Sequence, residues 1–211
     1  VCLFRSEPGS GRRGTVVRLS PGAGLVAAGG PAAADDRRCT GRISSRTIDG
    51  NLVVPAGSTC AVNSLKVKGN VIVNRGGTFT SYNSTVEGNV QAEGHKYVRY
   101  TYGWVDGDIQ LEQGYSHHLR NAFVDGNIQL EQGRGLTLNR NIVDGDIQVF
   151  SNRSGAKNIY DNRVDGNLQC KSNSPAPKGA RRAARRTRRI PRCVSPPSRW
   201  RSRWALPPAR R

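Results

Sequence analysis

Short stretches of alternating apolar and polar residues recur along residues 48–170. Ile128 and Leu130 enclose one polar residue, and Leu136 and Leu138 enclose another a few positions later. Alternation of this kind, rich in Val and Ile, is typical of short β-strands that turn one face to a core. The pattern therefore predicts a protein built from strands.

The strand pattern belongs to a glycine-centred motif that occurs seven times. The glycines recur every 19 residues from Gly50 to Gly145, and Gly166 follows after 21. A strict period in this range marks a stack of identical supersecondary units, and a unit of this length cannot hold two helices and a turn. The two extra residues fall within residues 151–157, a polar stretch that suits a bulging loop. The copies are IDGNLVV (48–54), VKGNVIV (67–73), VEGNVQA (86–92), VDGDIQL (105–111), VDGNIQL (124–130), VDGDIQV (143–149) and VDGNLQC (164–170).

These repeats predict an all-β fold, a parallel β-solenoid (β-helix) of about seven 19-residue turns over residues 46–172. Each turn lays its strands in parallel over those of the turn before, about 4.8 Å away. We expect three faces per turn and right-handed winding. The solenoid domain is predicted to occupy residues 38–176.

The motif glycine and the Asn or Asp after it lie between two apolar residues that should point inward, such as Val124 and Ile128. This pair suits a corner, because Gly and Asn tolerate a positive φ that a β-branched residue does not. The asparagines should stack into a ladder that Asp108 and Asp146 interrupt. The corner glycines are Gly50, Gly69, Gly88, Gly107, Gly126, Gly145 and Gly166. The stacked asparagines are Asn51, Asn70, Asn89, Asn127 and Asn167.

A second polar ladder follows two residues after this corner and should face solvent. Ladders of this kind are structural in most solenoids, and we expect the same here. Its members are Gln91, Gln110, Gln129, Gln148 and Gln169.

One apolar column could be a binding surface. Trp104, Phe123 and Ile142 stand immediately before the inward Val of their turns, and Tyr102 is nearby. If that Val points inward, its neighbour should point outward and form an exposed strip suited to sugar rings or a partner surface. The alternative is that the chain bends there and the three side chains belong to the core.

The net charge of +18 is concentrated at one end of the chain. Residues 1–40 carry +3, residues 41–176 carry +2 and residues 177–211 carry +13, so the repeats are nearly neutral. Residues 177–211 are rich in Arg and Pro. They are either a disordered basic arm that contacts nucleic acid, lipid or cell-wall polyanions, or the product of a reading-frame error.

The leader, residues 1–37, has the order of a signal peptide. A basic start, a weakly apolar middle and an Ala-x-Ala site precede Asp35 and Asp36, although a disordered leader has a similar composition. No apolar run reaches the ~18–20 residues that a membrane span needs. We expect a secreted or cell-envelope protein, with a cytoplasmic location as the alternative.

Five cysteines are present, none at zinc-binding spacing. Cys39 and Cys60 flank the first turn and could form a disulfide that staples this end of an exported protein. Otherwise Cys60 is a small buried side chain and Cys39 a free thiol.

Catalytic signals are weak. Three histidines occur (His95, His117 and His118), and no Ser or Cys lies in a nucleophile motif. We expect no enzyme activity, no metal site and no cofactor. The acids before the corner glycines, expected to be solvated carboxylates with calcium bridging as the alternative, are Asp106, Asp125, Asp144 and Asp165.

The repeated rung VxGN(V/I)x(V/A/L) resembles the rungs of bactofilin-type polymer-forming proteins. More closely, the span from Cys39-Thr40-Gly41 to Asn167-Leu168-Gln169-Cys170-Lys171 resembles a group of small exported bacterial β-solenoid proteins of undefined function. The resemblance covers about residues 25–176. It implies the solenoid fold and, from the bactofilin side, end-to-end self-assembly.

The sequence favours a non-catalytic structural or adhesive scaffold exported to the cell envelope. The alternatives are a carbohydrate-binding module that uses the aromatic strip, a cytoskeletal self-assembling polymer and, least favoured, a polysaccharide-degrading enzyme. The expected partners are a glycan or cell-envelope polymer and a second copy of the chain bound through the solenoid end. Nucleic acid is expected only if the basic tail is genuine.

Overall fold

The computed structural model describes residues 36–179, and in this part of the chain the regular structure consists entirely of strands. The strands form three parallel sheets stacked turn upon turn, so the predicted β-solenoid of about seven turns with three faces is confirmed. The predicted leader, except for its last two residues, and nearly all of the predicted basic tail lie outside the described residues.

Each sheet takes one strand from every turn. Sheet A contains Arg37–Arg38, Leu52–Val54, Val71–Val73, Val90–Glu93, Ile109–Glu112, Ile128–Glu131, Ile147–Phe150 and Leu168–Lys171. Sheet B contains Arg42–Ser44, Thr59–Asn63, Thr78–Tyr82, Tyr97–Thr101, Ser116–Arg120, Gly135–Asn139 and Lys157–Tyr160. Sheet C contains Thr47–Ile48, Lys66–Val67, Thr85–Val86, Trp104–Val105, Phe123–Val124, Ile142–Val143 and Arg163–Val164.

The chain runs from sheet C through the glycine corner to sheet A, then to sheet B and back to sheet C. Every strand pairs with its equivalent in the next turn, as Ile109 does with Ile128. Inward positions therefore form continuous apolar columns, in which Val124, Ile128, Leu130 and Leu138 are almost fully buried. Burial of such side chains contributes about 1.5–3 kcal/mol each and is the main stabilising term.

The two extra residues of the sixth turn form a loop, as predicted. The pairing offset grows to 21 where Leu136 meets Lys157, and residues 153–156 are exposed. Lys157 then occupies an inward position. Its Nζ donates to the carbonyl oxygens of Ser154 (2.7 Å), Gly155 (3.0 Å) and Ser174 (2.8 Å), while burial lowers its pKa. These three acceptors compensate for burying an ammonium group at the end of an apolar column.

Positive φ angles occur at the corners that the sequence did not single out. Gln113 (φ 53°) and Gln132 (φ 52°) directly follow strands of sheet A, and Asn121 (φ 50°) and Arg140 (φ 54°) directly follow strands of sheet B. None of the motif glycines has a positive φ, so the expectation that these corners use one was wrong. Their corner location was right.

The corner glycines are needed because consecutive turns approach closely there. A Cβ on Gly145 would lie 2.6 Å from Asn127 Oδ1 and 2.6 Å from the carbonyl oxygen of Gly126. The Gly145 N–H also donates to that carbonyl at 3.2 Å. No side chain fits between backbones at this distance, and the restriction is steric rather than conformational.

The Asn/Asp ladder is continuous, which corrects the predicted interruption at Asp108 and Asp146. Each Oδ1 accepts the backbone N–H of the equivalent residue in the next turn: Asn127 N–H donates to Asp108 at 2.7 Å, and Asp146 N–H donates to Asn127 at 2.9 Å. An amide oxygen and a carboxylate oxygen serve equally as acceptors, so either residue satisfies a backbone donor that the corner leaves unpaired.

Both ends of the array carry extra covering. At the N-terminal end a disulfide joins Cys39 to Cys60, and both residues are buried. At the C-terminal end the chain continues past the last motif, pairing Ser174 with Arg153 and Lys178 with Asn158. Pairing therefore extends beyond residue 172, the predicted end of the turns, and covers part of the C-terminal edge at Arg153 in the loop and at Asn158 in sheet B.

The glycine corner leads to a stability prediction. Gly145→Ala should lower the free energy of unfolding by about 1–3 kcal/mol, because the added methyl group overpacks the contact with residues 126 and 127. Gly41→Ala is the matched control, since no atom lies within 4 Å of the place its methyl group would take, and it should stay within about 0.5 kcal/mol. Urea denaturation measures both. Equal losses for the two variants would show that close approach does not restrict this corner.

Candidate binding faces and a buried histidine pair

The three sheets present different chemistry to solvent. Sheet A displays the glutamines, sheet C displays the apolar strip, and sheet B displays Arg99, His118 and Arg120 among hydroxyl and amide side chains. Because outward positions are in register, each face repeats its chemistry along the stack.

The strip of Trp104, Phe123 and Ile142 lies on the outer face of sheet C. Trp104 is 43% exposed and Phe123 is 42% exposed, with ring centroids 5.5 Å apart and planes within 11° of parallel. Phe123 pairs with Ile142 in the next turn. The alternative that these side chains belong to the core is therefore wrong.

The strip points outward because the residue before it points inward. Ala122 and Asn141 are fully buried at that position. In the preceding turn the position is Gly103, where a Cβ would lie 2.6 Å from Cε1 of Tyr100. The Tyr100 hydroxyl takes up this inward space, 2.7 Å from the carbonyl oxygen of Ser84.

Tyr102 does not join the strip. It has φ 51° at the corner between sheets B and C, is 52% exposed, and packs edge-to-face against Tyr82 with centroids 5.6 Å apart. Of the four residues predicted to form one strip, three lie together on sheet C. The fourth, Tyr102, pairs with Tyr82 beside sheet B.

The glutamine ladder is in register through all five positions, and its side chains are exposed or half-buried. Contact between turns is loose: Gln91 Nε2 donates to Gln110 Oε1 at 3.4 Å. Gln110 and Gln169 also reach the corner carboxylates of Asp108 (3.5 Å) and Asp146 (3.2 Å). These long bonds leave amide groups available to an external partner.

Two buried asparagine ladders were missed in the sequence. Asn162 Oδ1 accepts both the N–H and the side-chain amide of Asn141, at 3.0 and 2.8 Å. At the corner between sheets A and B, Asn173 Oδ1 does the same for Asn152, at 3.1 Å each. The members of both pairs are 21 residues apart and lie on either side of the inserted loop. This shared spacing could have revealed the pairs in the sequence.

A buried histidine pair was also missed. His95 and His117 lie inside the solenoid, with His95 Nε2 2.9 Å from His117 Nδ1. Within the described residues, His95 Nδ1 and His117 Nε2 have no hydrogen-bond partner. Burial lowers the pKa of His95 to about 4, and burial together with the neighbouring histidines lowers the pKa of His117 to about 3.

The carboxylates of the predicted acid column are exposed: Asp106, Asp125, Asp144 and Asp165. Among residues 36–179, no three His, Cys, Asp or Glu side chains are grouped so that they could hold a metal ion. The same part of the chain contains no helix with the length and hydropathy of a membrane span.

The chain matches no protein-family model, no curated protein and no solved structure. Functional inference therefore depends on the geometry of its faces.

The histidine pair makes stability depend on pH. Histidine titrates near pH 6.5 in an unfolded chain, whereas this pair stays neutral in the folded state down to about pH 4. Below pH 6.5 the unfolded state binds more protons, so the free energy of unfolding should fall by about 1.4 kcal/mol per pH unit for each histidine. Above pH 6.5 no such dependence is expected from the pair.

Urea denaturation between pH 7 and pH 5 measures this slope before most carboxylates titrate. Both variants are compared in a His118→Thr background, which removes the third histidine. Threonine is chosen because Thr137 occupies the equivalent position in the next turn. His117→Leu, which copies Leu136 of the next turn, should then halve the slope. An unchanged slope would mean that the pair does not remain neutral.

Proposed function

We propose that this protein is a non-catalytic structural or adhesive scaffold whose flat faces bind an extended polymer of the cell envelope. The observation that carries this proposal is the register of the outward side chains. From turn to turn the same chemistry recurs about 4.8 Å further along the stack. A repetitive surface of this kind suits a partner that is itself repetitive.

Export to the cell envelope is part of the proposal. One support is the signal-peptide-like sequence of residues 1–37. The other is the disulfide between Cys39 and Cys60, because structural disulfides persist mainly in oxidising compartments. The motif's resemblance to polymer-forming proteins supports self-assembly through the solenoid ends as an alternative.

A polymer-binding face predicts that affinity depends on ligand length. Oligosaccharides of two to eight units from a chitin, a cellulose and a polygalacturonate series should bind the full chain with affinity that rises with length, because each added unit reaches a further turn. Isothermal titration calorimetry measures the dissociation constants. Affinity that does not rise beyond the disaccharide would indicate a single small-molecule site and contradict the scaffold.

Carbohydrate binding through the aromatic strip is the second candidate. It is favoured by the exposure of Trp104 and Phe123, since aromatic rings are the side chains on which sugars pack. The rings of these two residues stack on each other, so a sugar would contact their edges and their outer faces.

Removing both rings tests the strip. Trp104→Ala with Phe123→Ala should weaken binding of any neutral glycan found on a glycan array by at least about fivefold, at about 0.5–1.5 kcal/mol for each aromatic contact. Tyr115→Ala removes an exposed ring outside the strip and is the control. If the double variant keeps its glycan affinity, carbohydrate binding by this strip is refuted and the scaffold proposal is unaffected.

A further inference from the structure

The outer face of sheet B is rich in arginine. Arg99 and Arg120 point outward from its middle strands, Arg42 lies in its first strand, and Arg140 follows at the next corner, where Asp161 takes the equivalent position one turn further on. Arg99, Arg120 and Arg140 come from three successive turns. None of the seven described strands of sheet B contains Asp or Glu.

Arg99, His118, Arg120 and Arg140 line a shallow depression of about 490 Å³, together with Tyr82 and Tyr102. Between the cations lie neutral hydrogen-bonding groups, among them those of Thr101, Asn121 and Asn139. The depression thus alternates fixed positive charges with hydroxyl and amide groups.

Arg99 is held in position by its neighbours. Its Nε donates to the Tyr97 hydroxyl at 2.8 Å, and its guanidinium lies 5.5 Å from the centre of the Tyr97 ring. The Tyr97 ring in turn packs 5.3 Å from that of His118. The terminal nitrogens of Arg99 therefore remain available on a restrained side chain, which reduces the entropy lost when a ligand binds.

The arginines of this face form no ion pair among residues 36–179. The ion pairs among residues 36–179 involve Lys66, Lys68 and Arg163, and all three lie outside sheet B. The guanidinium groups of Arg120 and Arg140 have no acidic partner in the same part of the structure. Burial, with Arg99 and Arg120 nearby, lowers the pKa of His118.

We propose that this depression binds a segment of an acidic polysaccharide, with sugar carboxylates on Arg99, Arg120 and Arg140. The inference rests on the proposed function and names the class of polymer. A planar guanidinium pairs with a carboxylate through two parallel hydrogen bonds, which fixes the orientation of the sugar as well as its charge.

The neutral groups favour a polysaccharide over a nucleic acid. Arg120 lies one turn above Arg99 and two residues further along its strand, and Arg140 lies one turn above Arg120 and one residue further along, so a chain of uronates that contacts all three crosses the strands obliquely. Thr and Asn side chains between the charges suit sugar hydroxyls. Nucleic acid single strands instead stack successive bases on aromatic faces, and Tyr82 and Tyr102, at 71° to each other, do not form parallel platforms for neighbouring bases.

The test compares two triple variants of the full chain, both of which keep the basic residues 177–211. Arg99→Gln, Arg120→Gln and Arg140→Gln remove the sheet B charges. Arg46→Gln, Arg75→Gln and Arg153→Gln remove the same charge from exposed positions outside sheet B. Circular dichroism checks that both variants fold, and biolayer interferometry measures binding to polygalacturonate, neutral dextran and oligo-dT across a salt series.

We expect the sheet B variant to bind polygalacturonate at least tenfold more weakly, with a log–log salt slope shallower by about two to three, and the control variant to change less than twofold. Equal losses in both variants would overturn the site in favour of general charge attraction. Tighter, sheet B-dependent binding of oligo-dT would overturn the polysaccharide in favour of nucleic acid.

One further comparison separates this inference from the proposed function. If polygalacturonate affinity is lost in the Trp104→Ala, Phe123→Ala variant and kept in the sheet B variant, the sheet B site is refuted while polymer binding by the scaffold stands. If the wild-type chain binds none of the polymers, both are refuted.

Discussion

The backbone contact between successive turns at the glycine corner is the constraint on which the rest of the structure depends. There the Asn or Asp Oδ1 of one turn accepts the backbone N–H of the next, and the glycine removes the Cβ that would hold the turns apart. This fixes the register of Val124 and Ile128 on either side of the corner. Once that register is fixed, every other residue stacks on its equivalent one turn away.

Stacking in columns means that an inward polar side chain must find its partners in neighbouring turns. Asn141 donates to Asn162 of the next turn, whereas Lys157 donates to two carbonyl oxygens of its own loop and to that of Ser174 in the next turn. The His95–His117 pair is less well satisfied, because its rings contact each other through one nitrogen each and leave the other two without a partner among the described residues, as the buried hydroxyl of Ser81 also is. The solenoid tolerates the free-energy cost of these unsatisfied ring nitrogens while both rings are neutral. Its stability is therefore linked to pH.

The same stacking separates chemistry by face. Acidic side chains collect before the glycine corner and along the end of sheet A, where Glu93, Glu112 and Glu131 are in register. Sheet B keeps its arginines without acids, and sheet C keeps its apolar strip. A nearly neutral solenoid therefore presents surfaces of opposite character on different sides.

By itself the sequence determined the fold, the inward columns, the position of the inserted loop and the location of the glycine corner, because each follows from a strict period and strand alternation.

Three features depended on the tertiary structure. The strip at Trp104 and Phe123 faces outward because Gly103 and Ala122 turn inward at a corner, a direction that no local pattern encodes. Asp108 and Asp146 continue the ladder because the bond uses an oxygen that both residue types possess. The histidine pair is separated by 22 residues, and the sheet B arginines by 21 and 20, so aligning the chain at its 19-residue period does not bring them together. They meet only because side chains reach across neighbouring columns of the folded stack, and such contacts are set by three-dimensional packing rather than by the repeat.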